Sequence, residues 1–303
     1  MDLLRTPEDR FADLAGFRHT PHRALVTAGD GAAAEMAWVQ AGPEDGPVVL
    51  LLHGEPTWGY LYRTMIDVLA EGGCRVVVPD LIGFGRSEKP TDAAEHSYAR
   101  HVGWVRSLLV DVLDLHEVTL FGQDWGGLIG LRLVAENPER FARVVASNTG
   151  LTTGDHDMPE VWWEFRRAVE KAPVLDVGRL VASGCVRGLS DADRAAYDAP
   201  FPDETYKAGP RAMPGLVPTR PDDPATEANR AAWTTLSTLT LPFLCAFADS
   251  DPITAAMGPI LARSMAGAAG LTHPTIANAG HFVQEDAGED VARVVLDFVR
   301  AGS

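Results

Sequence analysis

Short apolar runs bounded by glycine or proline recur through the first half of the chain. Four of them precede residue 150, at Val48–Leu52, Arg75–Pro79, 118–121 and 144–146. Runs without polar alternation are typical of strands that are buried on both faces, as in a parallel sheet. Helical patterns lie between them, at 60–71 and 99–113. Because strands alternate with helices, the pattern predicts a doubly wound, mostly parallel α/β sheet with right-handed crossovers.

The strand pattern is interrupted once, over residues 152–229. Alanine, arginine and tryptophan become frequent in this stretch, and prolines cluster at 200–224. After it, strand patterns return at 242–247 and 273–277, and a closing helix is predicted at 291–300. We therefore expect a core formed by residues 1–151 and 230–303, with a mainly helical cap at 152–229 inserted between its halves.

Composition and charge narrow the range of partners. The chain has 303 residues, is 46% hydrophobic and 22% charged, and carries a formal net charge of −16. Such a composition is ordinary for a globular protein. A protein of this charge repels phosphate backbones and anionic lipid surfaces, so we expect neither nucleic acid nor membrane as a partner. A small neutral substrate fits better.

The start of the chain and the cysteines indicate the compartment. Residues 1–13 are interrupted by charges and lack the apolar run of a secretory signal. The sequence also contains no apolar run long enough to span a bilayer. Cys74, Cys185 and Cys245 lie far apart and are odd in number, which does not suggest a disulfide framework. These features predict a cytoplasmic protein with three buried structural thiols.

The most informative local sequence is Gly-Gln-Asp-Trp-Gly-Gly at 122–127. It follows the predicted strand at 118–121 and precedes an apolar helix pattern at 128–135. Small residues two before and two after a central side chain allow the strained strand-to-helix turn that exposes a nucleophile in α/β-hydrolases. The central residue is Asp124. An Asp that caps a helix in a tight turn is the alternative, but other motifs fall in register with a nucleophile.

An aspartate nucleophile limits the possible chemistry. With a reference pKa of about 3.9, an aspartate carboxylate is ionised at neutral pH and needs no base for its first attack. Attack on an acyl carbon would give an unproductive anhydride, whereas attack on a saturated carbon with a leaving group gives an alkyl ester. The carbonyl to be hydrolysed then belongs to the enzyme. The expected substrates are therefore sp³ electrophiles, chiefly alkyl halides or epoxides.

The motif His-Gly-Glu-Pro-Thr-Trp at 53–58 follows the first predicted strand. In this fold, the loop after that strand supplies one backbone N–H of the oxyanion hole, and the residue after the nucleophile supplies the other. The expected donors are the amides of Glu55 and Trp125. We interpret His53 as a structural, hydrogen-bonding histidine rather than as a catalytic one.

Two motifs near the C-terminus complete a triad. Gly-His-Phe at 280–282 supplies His281, and Asp-Ser-Asp-Pro at 249–252 supplies two candidate acids. The chain order of nucleophile, acid and histidine is that of α/β-hydrolases. We favour Asp251, four residues beyond the strand and before a proline, over Asp249, which is better placed to cap the turn. Asp251 would orient His281 and stabilise the imidazolium that forms as His281 takes a proton from water.

Taken together, these motifs resemble those of the haloalkane dehalogenases, and the resemblance covers nearly the whole chain. It rests on the segments 53–58, Asp-Leu-Ile-Gly-Phe-Gly-Arg-Ser at 80–87, Gln-Asp-Trp-Gly at 123–126, Tyr-Asp-Ala-Pro-Phe-Pro at 197–202, and 280–282. The resemblance implies an α/β-hydrolase fold and hydrolysis of a small haloalkane to alcohol and halide through an ester on Asp124. It implies no metal or organic cofactor.

The same resemblance implies how the halide is held. In this family a Trp at the position of Trp125 donates its indole N–H to the departing halide, and an indole, having a donor and no acceptor, suits an anion. One branch uses an oxyanion-loop Asn as the second donor, but this chain has Glu55 there and resembles the branch that uses a cap Trp. Trp162 and Trp163 are the candidates. The Trp162 to Phe165 spacing is slightly more similar to the family pattern.

Three alternatives accompany this prediction. An epoxide hydrolase would use the same triad but would need acidic cap donors, for which Tyr197 and Tyr206 are available. A fluoroacetate-type dehalogenase would need arginines just after Asp124, where the sequence has Trp-Gly-Gly. A catalytically silent hydrolase fold would have no use for a complete triad. The expected assembly is a monomer or a small homo-oligomer.

Overall fold

A computed structural model describes residues 1–301 of the chain. Its strands are β1 (Leu3–Leu4), β2 (His22–Thr27), β3 (Ala33–Ala41), β4 (Val48–Leu52), β5 (Arg75–Pro79), β6 (Lys89–Pro90), β7 (Val118–Gln123), β8 (Phe141–Ser147), β9 (Phe243–Cys245), β10 (Phe247–Ala248) and β11 (Thr275–Ile276). Its helices are α1 (Arg63–Glu71), α2 (Tyr98–Arg106), α3 (Trp125–Glu136), α4 (Glu160–Lys171), α5 (Val177–Ser183), α6 (Asp191–Asp198), α7 (Ala208–Leu216), α8 (Thr226–Leu236), α9 (Met257–Ser264) and α10 (Val283–Arg300).

The main sheet of the described residues has seven strands in the order β2-β3-β5-β4-β7-β8-β9. β3 pairs antiparallel with β2 and β5, and all pairs from β5 to β9 are parallel. β10 and β11 form a further parallel pair. The central strands β4 and β7 are buried almost throughout because helices cover the sheet. α1 packs on α10, and α3 packs on α2 and α8. The predicted doubly wound α/β fold is confirmed.

The strands predicted at Val48–Leu52 and Arg75–Pro79 match the structure, whereas the other predicted elements differ at one or both ends; the closing helix predicted at 291–300, for example, begins at Val283. The strand predicted at 118–121 extends to Gln123, and the strand predicted at 144–146 begins earlier, at Phe141. The helix predicted from residue 60 begins at Arg63, because 59–62 form a 3-10 turn. The apolar-run criterion missed β2 and β3, since β2 is a largely exposed edge strand and β3 is flanked by half-buried positions.

The segment between β8 and β9 is helical in the described chain, with α4 to α8 and no strand. α5 packs on α6, and α4 packs on α7. The second expected cap boundary, at 229 and 230, falls inside α8, and the division of the chain into core and cap stays a prediction. None of the helices in residues 1–301 combines the length and hydropathy needed to cross a membrane.

The three cysteines carry free thiols. Cys74 and Cys245 are buried as expected, but the expectation is wrong for Cys185, which is half-buried. It follows α5 and lines the large cavity described below.

Candidate active site

The topology brings the predicted catalytic residues to one edge of the sheet. Glu55 follows β4, Asp124 follows β7, and Asp251 and His281 follow β10 and β11. The carboxyl ends of neighbouring parallel strands meet at the same edge, where open α/β sheets bind their ligands. Residues that are up to 226 positions apart in sequence can therefore form one site.

Asp124 lies in a sharp turn between β7 and α3. Its φ of 51° and ψ of −127° are uncommon for a residue with a side chain. The turn needs glycines, because a Cβ at Gly126 would lie 1.8 Å from the carbonyl oxygen of Leu52. At Gly127, a Cβ would lie 2.1 Å from Thr149 Oγ1. The chain thus forms the strained strand-to-helix turn that the Gly-x-Asp-x-Gly spacing predicted.

A backbone donor contacts the Asp124 carboxylate, and a second candidate donor is adjacent to it in sequence. The N–H of Glu55 donates to Asp124 Oδ1 at 2.8 Å. Trp125 is the first residue of α3, and the first N–H groups of a helix have no intrahelical acceptor. Both amides expected for an oxyanion hole therefore belong to segments that border the carboxylate.

His281 lies between two carboxylates. Its Nε2 is 3.5 Å from Asp124 Oδ2, and its Nδ1 is 3.2 Å from Asp251 Oδ2. Asp251 is 2% exposed and also accepts from the Ile253 N–H at 2.9 Å. Asp249, by contrast, accepts from the N–H of Asn278 at 3.1 Å and bonds within its own turn. The structure therefore places Asp251, and not Asp249, against the histidine.

Burial and charge act in opposite directions on this pair. Burial disfavours the imidazolium form of His281, but the charge of Asp251 and the contact with Asp124 outweigh it and raise the pKa of His281 to about 10. For Asp251, burial favours the neutral form, yet His281 holds the pKa of this carboxyl below its ordinary value. At neutral pH His281 is therefore an imidazolium between two carboxylates.

Glu55 presents a buried acid beside the nucleophile. Its side chain is 4% exposed, and within residues 1–301 its Oε1 is buried without a hydrogen-bond partner. Burial and the charge of Asp124 raise the pKa of Glu55 well above its ordinary value, with His281 partly opposing them. The raised pKa favours the protonated, neutral form of Glu55, which adds no second negative charge beside Asp124.

A cavity of about 1390 Å³ opens onto these residues. Asp124 and His281 lie on its wall, and apolar side chains such as Leu128, Phe165 and Met257 make up much of the rest. A concave apolar site with a few convergent polar groups is typical of small-molecule binding. The cavity can therefore hold an apolar substrate against the carboxylate.

Two of the tryptophans that line this cavity have an indole N–H without an acceptor in the described chain. Trp125 and Trp162 border it, and neither indole N–H has a protein acceptor in the described chain. By comparison, the indoles of Trp58, Trp104 and Trp233 donate to backbone carbonyls. A ligand in the cavity can therefore reach two unpaired indole donors.

The adjacent Trp163 has a different position. It is half-buried and is absent from the cavity lining among the described residues. Its ring packs edge-on against Trp162, with centroids 4.8 Å apart at 78°. Of the two candidate cap tryptophans, the structure thus brings Trp162 to the cavity and leaves Trp163 as its packing partner.

Other residues singled out in the sequence have structural partners. His53 Nδ1 contacts the Gly54 carbonyl at 2.9 Å, and its Nε2 accepts from the Leu81 N–H at 2.9 Å, as expected of a structural histidine. The Tyr197 hydroxyl donates to Glu285. Within residues 1–301, neither Tyr197 nor Tyr206 lines the cavity.

The sequence did not point to Asn148, whose hydrogen bonds connect the segments that carry Asp124 and His281. Its carbonyl oxygen accepts from the Asp124 N–H at 3.0 Å. Its Nδ2 donates to the carbonyls of Gly280 and His281 at 2.8 and 2.9 Å, and its Oδ1 accepts from the Ala248 N–H at 2.9 Å. The available signal was its position directly after β8, at the same edge of the sheet as Asp124.

Comparisons with known proteins agree with this geometry. The α/β-hydrolase fold family model matches residues 47–288. A haloalkane dehalogenase of Psychrobacter cryohalolentis is 52% identical over 299 residues, covering 99% of this chain and 98% of the relative. This chain belongs to the haloalkane dehalogenase family. The family resemblance seen in the motifs is confirmed.

Two further members of the family support the assignment. A haloalkane dehalogenase of Mycobacterium marinum is 50% identical over 98% of this chain and its own full length. The solved tetrameric structure of haloalkane dehalogenase DpaA from Paraglaciecola agarilytica NO2 has a TM-score of 0.90 at 34% identity, covering 98% of both chains.

Proposed function

We propose that this chain hydrolyses small neutral haloalkanes to an alcohol, a halide ion and a proton, through an alkyl ester on Asp124. The observation that carries the proposal is the placement of the Asp124 carboxylate. One oxygen accepts a backbone N–H and the other lies 3.5 Å from His281, while the group borders an apolar cavity. The names of the relatives agree with this activity.

The first step is an in-line displacement. A carboxylate oxygen of Asp124 bonds to the carbon of the substrate, and the carbon–halogen bond breaks with its electron pair leaving on the halide. The indole N–H groups of Trp125 and Trp162 hold the halide in the cavity. Neither Trp162 nor Trp163 has another acceptor for its indole N–H in residues 1–301, and we choose Trp162 because it lines the cavity.

The second step becomes possible because the first step removes the negative charge of Asp124. Forming the ester neutralises Asp124, so one of the two anions that hold the proton on His281 is lost. His281 can then lose that proton and, oriented by Asp251, act as a base toward water. The water attacks the carboxyl carbon of Asp124, and the amides of Glu55 and Trp125 stabilise the oxyanion. The bond between the carboxyl carbon and the alkyl oxygen then breaks, and the leaving oxygen takes the proton that His281 removed from water and departs as the alcohol. Asp124, left as a carboxylic acid, passes its proton to His281, which restores the carboxylate and the imidazolium.

Epoxide hydrolysis is less well supported. It needs acidic donors in the cavity to protonate an alkoxide, and the candidate tyrosines Tyr197 and Tyr206 do not line it in the described chain. Tyr197 is instead bound to Glu285. The expectations of a cytoplasmic location and of a monomer or small homo-oligomer stay predictions.

The two-step mechanism is tested with His281→Gln. Because the ionised carboxylate attacks without a base, this variant should release about one bromide per active site from a bromoalkane and then stall. The peptide that contains Asp124 should gain the mass of the alkyl group. Asp124→Ala is the control and should show neither release nor adduct. If His281→Gln binds halide but gives no burst, His281 acts before carbon–halogen cleavage; an adduct on another residue would exclude Asp124 as the nucleophile.

A further inference from the structure

One carboxylate joins the segment after α5 to the loop that carries His281. Asp286, in the first turn of α10, is 2% exposed. Its Oδ2 accepts from the N–H groups of Val186 and Gly280, both at 2.8 Å, and its Oδ1 accepts from the Arg187 N–H at 2.9 Å. Gly280 directly precedes His281. The side chain thus bonds to two segments that lie far apart in sequence.

A second contact holds the same two segments together. The carbonyl of Gly184 accepts from the Phe282 N–H at 3.4 Å. A Cβ at Gly280 would lie 2.4 Å from that carbonyl, so the His281 loop and the segment after α5 touch along their backbones. Gly184 and Val186 also line the cavity. Residues that face the substrate are therefore tied directly to the loop that carries His281.

Other hydrogen-bond acceptors would not easily replace the Asp286 carboxylate. A buried carboxylate that accepts three backbone N–H groups makes charge-assisted bonds, which are shorter and stronger than neutral ones. Truncating the side chain would leave the N–H groups of Val186, Arg187 and Gly280 without this acceptor. The bond from Gly280 is buried, and a buried donor without a partner is strongly disfavoured. The loop would rearrange to find new partners, and His281 would move with it.

We propose that Asp286 is a positioning residue for His281. Its hydrogen bonds fix the loop that carries His281 against residues 184–187. The proposal rests on the proposed function, because His281 is used there only in the second step. Displacement of halide should therefore survive the loss of Asp286, whereas hydrolysis of the ester should not. A misplacement of about 1 Å can slow a catalysed step by about 10²-fold.

The test compares Asp286→Ala with Asp290→Ala, a matched change one turn along α10. Asp290 is exposed and contacts Arg293. With a bromoalkane under rapid mixing, Asp286→Ala should keep a burst of about one bromide per site, lose about 10²-fold in steady-state turnover and accumulate the Asp124 adduct. Asp290→Ala should match the wild type in both phases.

Asp286→Asn separates positioning from general damage. Its carbonyl oxygen can take the place of Oδ2 and keep the bonds from Val186 and Gly280, so its turnover should lie between those of the wild type and the alanine variant. If burst and turnover fall together in Asp286→Ala, or if it equals the Asp290 control, the proposal is overturned. If Asp286→Ala does not fold, the proposal is judged from Asp286→Asn instead, by the same comparison of steady-state turnover with the burst. Failure of the proposed function itself would appear separately, as a missing burst in His281→Gln.

Discussion

Gly54 offers a sharp test of how closely the oxyanion loop approaches the nucleophile. It lies between β4 and Glu55, and an ideal Cβ built on it would be 2.1 Å from Asp124 Oδ1 and 2.7 Å from Asp124 Cγ. Its φ is not in the left-handed region, so alanine is excluded only by this contact. The change Gly54→Ala therefore places a methyl group directly in the volume of the Asp124 carboxylate.

The magnitude follows from the overlap. To reach an ordinary contact of 3.4 Å from 2.1 Å, the carboxylate must withdraw by about 1.3 Å. That shift also breaks the bond of 2.8 Å between the Glu55 N–H and Oδ1. Because a misplacement of about 1 Å costs about 10²-fold in rate, the activation free energy should rise by about 2.7 kcal/mol.

The assay is the rate of the first bromide released under rapid mixing, since that step depends directly on the position of Asp124. We expect this rate to fall by about 10²-fold in Gly54→Ala. The matched control is Gly29→Ala, where a Cβ would meet nothing within 4 Å, and it should keep the wild-type rate. Thermal unfolding of both variants shows that they are folded. A burst rate in Gly54→Ala equal to that of Gly29→Ala would refute the steric argument.

Two further changes test the halide donor and the neutral acid. Trp162→Phe should weaken halide binding, followed by indole fluorescence, and slow bromide release, while Trp163→Phe should mainly lower the unfolding temperature; equal, small effects at both positions would contradict the choice of Trp162. Because folded Glu55 binds its proton more tightly than the unfolded chain, the wild type should lose stability as the pH rises above about 4.5 through the raised pKa. Glu55→Gln has no carboxyl group to titrate and should not lose stability in this way. The unfolding temperature of Glu55→Gln minus that of the wild type should therefore increase as the pH rises. A difference that does not change with pH would show that the folded protein does not favour protonated Glu55.

The sequence by itself determined the fold class and predicted the candidate reactive groups. Strands buried on both faces show as unbroken apolar runs, and Val48–Leu52 and Arg75–Pro79 were predicted to the residue for that reason. The sharp turn at Asp124 could also be predicted, because its close backbone contacts leave no room for a Cβ at Gly126. The apolar runs and the Gly-x-Asp-x-Gly spacing are themselves local patterns, so the sequence reports them directly, even though the Leu52 carbonyl that excludes a Cβ at Gly126 comes from a distant segment.

Only the tertiary structure decided how groups from distant segments meet. Local spacing could rank Asp251 above Asp249 but could not show the contact of 3.2 Å with His281, which joins residues 30 positions apart. Adjacent tryptophans share one local pattern, yet helix geometry points only Trp162 to the cavity in the described chain. The raised pKa of Glu55 depends on burial and on the charge of Asp124, and the bonds of Asp286 depend on donors elsewhere in the chain. Solvent exclusion and through-space charge arise only when the chain has folded, so no local pattern of residues encodes them.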